Sequence, residues 1–218
     1  MFYKGILFDF DGVAVDSMHQ HYDAWSRAFA EKDIYFEKEE FFQLEGQGLP
    51  KIARMLGGQH GLSEQDILDV IVKKVRYYYS LHETKFYDYF LTMIQNLKDS
   101  DTPMTVVTGG QRERVFSILD EYFSGVFKNA VTIDDVENGK PHPEPFIKGA
   151  EMLELDPKEC IVVENAPLGI TSARRAGCLV IAVKTTLTEK YLAEADFICD
   201  TFQEVEKKLF SVLLNAKQ

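Results

Sequence analysis

The chain has 218 residues, with 45% hydrophobic and 27% charged residues and a formal net charge of −11. This is the balance of a folded chain long enough to bury a full core, as one large domain or as one domain carrying an insert. The negative charge opposes broad contact with nucleic acid or an anionic membrane, because both need a positive field, so an anionic ligand must meet cations held locally.

The opening segment MFYKGILFDFDG runs straight into a strand-like stretch, without the basic start, long apolar run and small-residue cleavage site of a leader. The first buried strand is expected over Gly5-Ile6-Leu7-Phe8. After it, the stretch from about Ser17 to about Glu83 reads as almost wholly helical: Tyr22, Trp25 and Phe29 recur at helical spacing, as do Ile67, Ile71 and Val75. Ser63 with Asp66 has the spacing of a helix-starting pair. Those apolar residues are expected to form the insert's own core. The crossings near Gly12 to Asp16 and near His82 to Tyr87 could act as a pair of hinges.

Four further apolar runs follow: Met104-Thr105-Val106-Val107, Ala130-Val131-Thr132-Ile133, Cys160-Ile161-Val162-Val163 and Leu179-Val180-Ile181-Ala182-Val183. They lack polar alternation, as strands buried on both faces do. Helical patterns at Glu113 to Tyr122, Pro145 to Leu153 and Pro167 to Ala176 separate them, and Gly177 suits a left-handed helix end. The alternation predicts an α/β fold: a parallel sheet with helices on both faces and ligands at the carboxyl ends of its strands. Cys160, Cys178 and Cys199 show neither CxxC nor Cys/His spacing, which points away from zinc and disulfides and towards a reducing cytoplasm. No apolar run approaches membrane-spanning length.

Four strand ends carry candidate chemistry. Asp9 and Asp11 in Phe8-Asp9-Phe10-Asp11-Gly12 can approach one centre if the chain turns at Gly12, and an acid inside an apolar run needs a cation. Thr108, Gly109 and Gly110 offer a hydroxyl and free amides to a phosphoryl oxygen, or else form a turn and cap a helix before Gln111. Lys140 sits in Gly139-Lys140-Pro141-His142-Pro143, either a cation fixed by a stiff loop or an ordinary surface lysine. Glu164 and Asn165 are oxygen donors of a kind that suits magnesium, although Asn165 could instead cap the next helix.

In chain order these pieces resemble the four motifs of the haloacid dehalogenase-like hydrolases, over nearly the whole chain: the DxDGxxxDS opening, the strand-terminal threonine, the KPxP lysine and the strand-terminal acid pair. More narrowly, the chain resembles the β-phosphoglucomutase-like branch. The resemblance implies a Rossmann-like catalytic core over residues 1–16 and 84–218, with a helical cap inserted at 17–83. It implies that Asp9 attacks phosphorus to form an aspartyl-phosphate, and that Asp11 protonates the leaving group and then activates water. Thr108 would hold the phosphoryl group and Lys140 would offset its charge. Mg2+ would be bound by Asp9, the backbone carbonyl of Asp11, Glu164 and Asn165, the last being an amide where the family commonly has an acid.

The implied partner is a small phosphorylated metabolite or pyrophosphate, bound by a cytoplasmic monomer. Compared with mutases of the branch, the chain has Leu49 and Glu45 at cap positions where they carry basic residues, and no basic residue in the Gly109–Gly110 loop. Hydrolysis is therefore expected over isomerisation of a phosphosugar. His21 and Lys74 are compatible with the mutase pattern and join Glu45, Thr108, Gly109 and Lys140 as expected substrate contacts, although His21 could equally be a packed residue one turn from Trp25. A catalytically silent protein that senses a phosphorylated ligand is the alternative outside enzymes.

Overall fold

The computed structural model describes residues 3–81, 83–127 and 129–214. Strand β1 (Gly5–Phe8) is followed by four helices: α1 (Met18–Ala30), α2 (Lys38–Phe42), α3 (Leu49–Gly58) and α4 (Glu64–Leu81). Next come α5 (Phe90–Asp99), β2 (Met104–Val107), α6 (Arg112–Tyr122), β3 (Ala130–Val131), α7 (Glu144–Met152) and β4 (Cys160–Glu164). The chain closes with α8 (Pro167–Ala176), β5 (Leu179–Val183), α9 (Glu189–Leu192), β6 (Phe197–Cys199) and α10 (Phe202–Leu214).

The strands form one parallel sheet in the order β3-β2-β1-β4-β5-β6. Because successive strand residues face opposite sides, the apolar runs supply two cores at once. Leu7, Val107, Val162 and Val180 face Phe146 and Ala150 of α7 and Ile170 and Ala173 of α8, in a core that continues into Trp25, Phe29 and Ile67. Ile6, Phe8, Val106, Ile161 and Val163 face Phe90 and Met93 of α5, Val115 and Ile118 of α6, and Phe202 and Val205 of α10.

Three features depart from the sequence pattern. The sixth strand, Phe197–Cys199, is three residues long and lies at the sheet edge, too short to give a run of its own. Strand β3 ends at Val131, because Thr132 and Asp135 exchange side-chain to backbone hydrogen bonds that close a 3-10 turn over Ile133–Asp135. The stretch expected to be almost wholly helical is four helices joined by non-helical segments, with Ser63 and Asp66 exchanging bonds at the start of α4: Asp66 N–H to Ser63 Oγ at 3.2 Å, and Ser63 N–H to Asp66 Oδ2 at 3.3 Å. The two crossings touch, since Asp16 N–H donates to the Lys85 carbonyl at 2.8 Å. His82, named in the second crossing, lies outside the described residues. Among those residues no helix is long and apolar enough to cross a membrane.

Candidate active site

The sheet register builds the site. Phe8 pairs with Val106 of β2 and Val163 of β4, so Asp9 leaves β1 level with Glu164 and one step below Thr108. Asp9 N–H still donates to the Val163 carbonyl at 3.0 Å, and Thr108 N–H to that of Val131 at 2.9 Å.

Lys140 joins the two buried acids. Its Nζ lies 2.5 Å from Asp9 Oδ1 and 2.8 Å from Glu164 Oε1, and its side chain is 1% exposed, so the surface-lysine alternative does not hold. The other Glu164 oxygen accepts the backbone N–H groups of Asn165 at 2.6 Å and Ala166 at 2.8 Å. Glu164, expected among the metal ligands, thus spends both oxygens on Lys140 and the backbone. Burial pushes the Asp9 carboxyl up to about 7; Lys140 opposes this, and the neighbouring Glu164 adds to it. The same two acids hold Lys140 above the usual lysine range despite its burial.

Asp11 points the other way, into a cleft beneath the helices. Its Oδ1 accepts from Ser17 Oγ at 2.5 Å and meets His21 Nε2 at 3.2 Å, while Arg114 grips both oxygens through its two terminal nitrogens, one of them at 3.0 Å. Burial raises the Asp11 pKa, but Arg114 and His21 outweigh it and hold the carboxyl well below the ordinary carboxylate range. His21 stacks on Tyr78, ring centres 4.3 Å apart, and its Nδ1 lies 3.0 Å from Lys74 Nζ. Burial, with Lys74 nearby, pushes His21 down to about 3, and burial, with Arg114 nearby, pushes Lys74 down to about 7. His21 is thus buried beside Trp25 and is also a partner of Asp11, which combines the two alternatives that the sequence left open.

Arg114 is the site residue that sequence reasoning missed. It lies on the first turn of α6, beyond the Gly109–Gly110 loop in which a basic residue was sought, and it supplies that charge from the helix. The available signal is Gly110: a Cβ there would stand 2.7 Å from the Arg114 guanidinium, so the bare backbone makes its slot. Thr108 Oγ1 accepts the Gly110 N–H at 2.9 Å, a local turn that leaves the hydroxyl's own proton to donate.

Asn165 does not cap α8, whose N-cap is Ala166 without a side-chain bond. Its Nδ2 donates instead to Glu45 Oε2 at 2.9 Å and to Thr186 Oγ1 at 3.0 Å. Gly12 permits that approach: its φ is +90°, and a Cβ would lie 2.1 Å from Asn165 Nδ2.

Among the described residues, four buried side-chain oxygens have no hydrogen-bond partner: Asp9 Oδ2, Glu45 Oε1, Gln47 Oε1 and Asn165 Oδ1. Unpaired buried oxygens are costly, and a hard cation would satisfy several of them. Around them stand the carboxylates of Asp9, Asp11, Glu45 and Glu164, with Lys140 and Arg114 as the close cations. Asp9 and Asn165, two of the expected ligands, thus each carry an unpaired oxygen that fits an oxygen-liking cation. Among the described residues no three His, Cys, Asp or Glu side chains form a ready metal cage. The cleft above is lined by Asp9, Asp11, His21, Lys74, Thr108 and Arg114, with Trp25, Leu49, Ile52 and Tyr78 as its apolar wall.

The chain is similar to known proteins over most of its length. A family model described as haloacid dehalogenase-like hydrolase matches residues 6–183. A validoxylamine A 7'-phosphate phosphatase from Streptomyces hygroscopicus subsp. limoneus is 30% identical over 207 residues, covering 93% of this chain and 96% of that protein. Hexitol phosphatase A of Escherichia coli is 29% identical over 212 residues, covering 93% of each. A solved structure of a candidate β-phosphoglucomutase from Bacteroides vulgatus superposes with a TM-score of 0.89 at 27% identity, covering 100% of this chain and 91% of that one.

Proposed function

Because the chain belongs to the haloacid dehalogenase-like hydrolases, in their β-phosphoglucomutase-like branch, we propose that it is a magnesium-dependent phosphatase acting on a small phosphorylated metabolite or pyrophosphate. The observation that carries the reading is Asp9: a buried carboxylate at the floor of a cleft, one oxygen on Lys140 and the other without a partner.

In this reading an Asp9 oxygen attacks phosphorus, the bond to the leaving oxygen breaks, and an aspartyl-phosphate forms. Thr108 donates its hydroxyl proton to the phosphoryl group, and Lys140 balances the charge that this group shares with Asp9. Asp11 gives a proton to the leaving oxygen; it later takes one from the water that releases phosphate. Magnesium, when bound, neutralises phosphoryl charge and so allows a dianion to enter a site crowded with carboxylates. Since Arg114 and His21 keep Asp11 ionised, Asp11 is ready for the second half-reaction, and the first requires those contacts to loosen. Helices α1–α4, over residues 17–83, serve as the cap: Ser17, His21, Glu45 and Lys74 bring their side chains to the site. The protein works as a cytoplasmic monomer.

Asp11→Asn should lower turnover of an alkyl phosphate by about 10²–10⁴-fold. With p-nitrophenyl phosphate, whose leaving group departs without a proton, the loss in the first step should be smaller. Equal losses for both esters in the first step, read as the initial burst of leaving group, would remove the role of Asp11 as the acid.

Hydrolysis is favoured over isomerisation because Leu49 is apolar in the cleft and Glu45 adds a carboxylate, which repels a second phosphate. Arg114 supports the mutase reading: Asp11 and Tyr78 take three of its five donors, and two remain for an anion in the cleft. Incubation with magnesium, β-glucose 1-phosphate and the corresponding bisphosphate, following glucose 6-phosphate and free phosphate together, separates the two. Phosphate release should dominate; rapid isomerisation with little release would assign the mutase.

A further inference from the structure

The unpaired oxygens in the site divide unevenly between the sheet and the helices. Asp9 Oδ2 and Asn165 Oδ1 belong to strand ends, whereas Glu45 Oε1 comes from the turn between α2 and α3. That turn lies directly on the catalytic floor: a Cβ on Gly46 would come within 2.7 Å of Lys140 Cδ, and one on Gly109 within 2.6 Å of the Gly46 carbonyl oxygen. Glu45 is 6% exposed, and its other oxygen accepts from Asn165 at 2.9 Å.

Glu45 Oε1 is thus a buried oxygen left without a partner beside a second one, Asn165 Oδ1. A cation resolves it, because Oε1 then gains a partner while the Oε2 bond holds the Asn165 amide with its oxygen turned away from Glu45. Asn165, fully buried with an unpartnered oxygen, is the independent sign that this pair of residues faces a ligand.

We propose that Glu45 is a ligand of the cation site, supplying from the helical segment the negative charge that Asn165 lacks. The proposal rests on the magnesium reading above and extends it: the site is completed by both parts of the molecule, so cation binding holds the 45–48 turn on the sheet.

The test is calorimetric titration of Mg2+ into the full chain and into Glu45→Gln, Asn165→Asp and the double variant, with no substrate present. Glu45→Gln should weaken binding by about 10–100-fold. Asn165→Asp should tighten it. The double variant, which exchanges acid and amide across the same hydrogen bond, should recover most of what Glu45→Gln loses. Unchanged affinity in Glu45→Gln, or a double variant no tighter than Glu45→Gln, overturns the proposal. Hydrogen exchange on the wild-type chain gives a reading independent of any variant's folding: Mg2+ should slow exchange in residues 43–48, and no slowing on saturation overturns the proposal. A wild-type chain that binds no Mg2+ would overturn the magnesium reading together with this one. A chain that binds Mg2+ and turns over substrate, but ignores Glu45→Gln, rejects this proposal alone.

Discussion

Asp9→Asn should lower phosphatase turnover by more than about 10⁴-fold, the scale on which loss of a covalent nucleophile is felt. The fold should survive. The side chain is 2% exposed, and asparagine keeps its shape and still offers an oxygen to Lys140, which retains Glu164 as a charged partner. The change also removes one of four carboxylates that burial has forced together, so the melting temperature should stay level or rise. Turnover by a generic aryl phosphate assay and thermal unfolding by circular dichroism, on the same preparation, separate the two effects. A folded variant that keeps a tenth of the activity would show that Asp9 is not the attacking group.

Lys140→Met should be costly in two ways. Among the described residues the lysine is the one cation bonded to both Asp9 and Glu164, and all three are nearly inaccessible to solvent. Removing one member of such a buried set leaves uncompensated charge, about 3–5 kcal/mol, which for a chain of this length lowers the melting temperature by roughly 6–20 °C. Methionine preserves the stem that packs on Gly46, so the loss reports the charge, including the Nζ contact 4.9 Å from the Phe146 ring centre, rather than the packing. Turnover should also fall by about 10²–10³-fold, the size of effect seen when a transition-state charge partner is deleted. If the variant melts with the wild type, Asp9 and Glu164 are accommodated without Lys140 and the charge argument fails. If it turns over normally, Lys140 serves stability alone.

The family assignment follows from features that are local in the chain. An apolar run of four or five residues, rich in β-branched side chains and too short for a helix, reads as a strand buried on both faces, so the positions of β1, β2, β4 and β5 and the acids, hydroxyl and amide at their ends were legible. Pro167 and Gly177 marked α8 to the residue for the same reason: each restricts or frees its own backbone whatever surrounds it.

What the tertiary structure decided is direction and partnership. Arg114 meets Asp11 across 103 positions and Asn165 meets Glu45 across 120, and neither separation leaves a trace in periodicity. A helix pattern tells which face is apolar, but a polar residue at the face's edge declares its target only once the opposite surface is in place; Lys74 and Tyr78 on α4 and His21 on α1 are such cases. Asn165 was ambiguous for a related reason, since an amide caps a helix or serves a site with the same atoms, and only the presence of Glu45 opposite settled where its Nδ2 would go. The sequence by itself determined which residues end the strands; the packing of α1–α4 over the sheet determined which of them would be paired with charge and which would be left with an oxygen unpartnered, because burial makes that choice and burial is a property of the assembled fold.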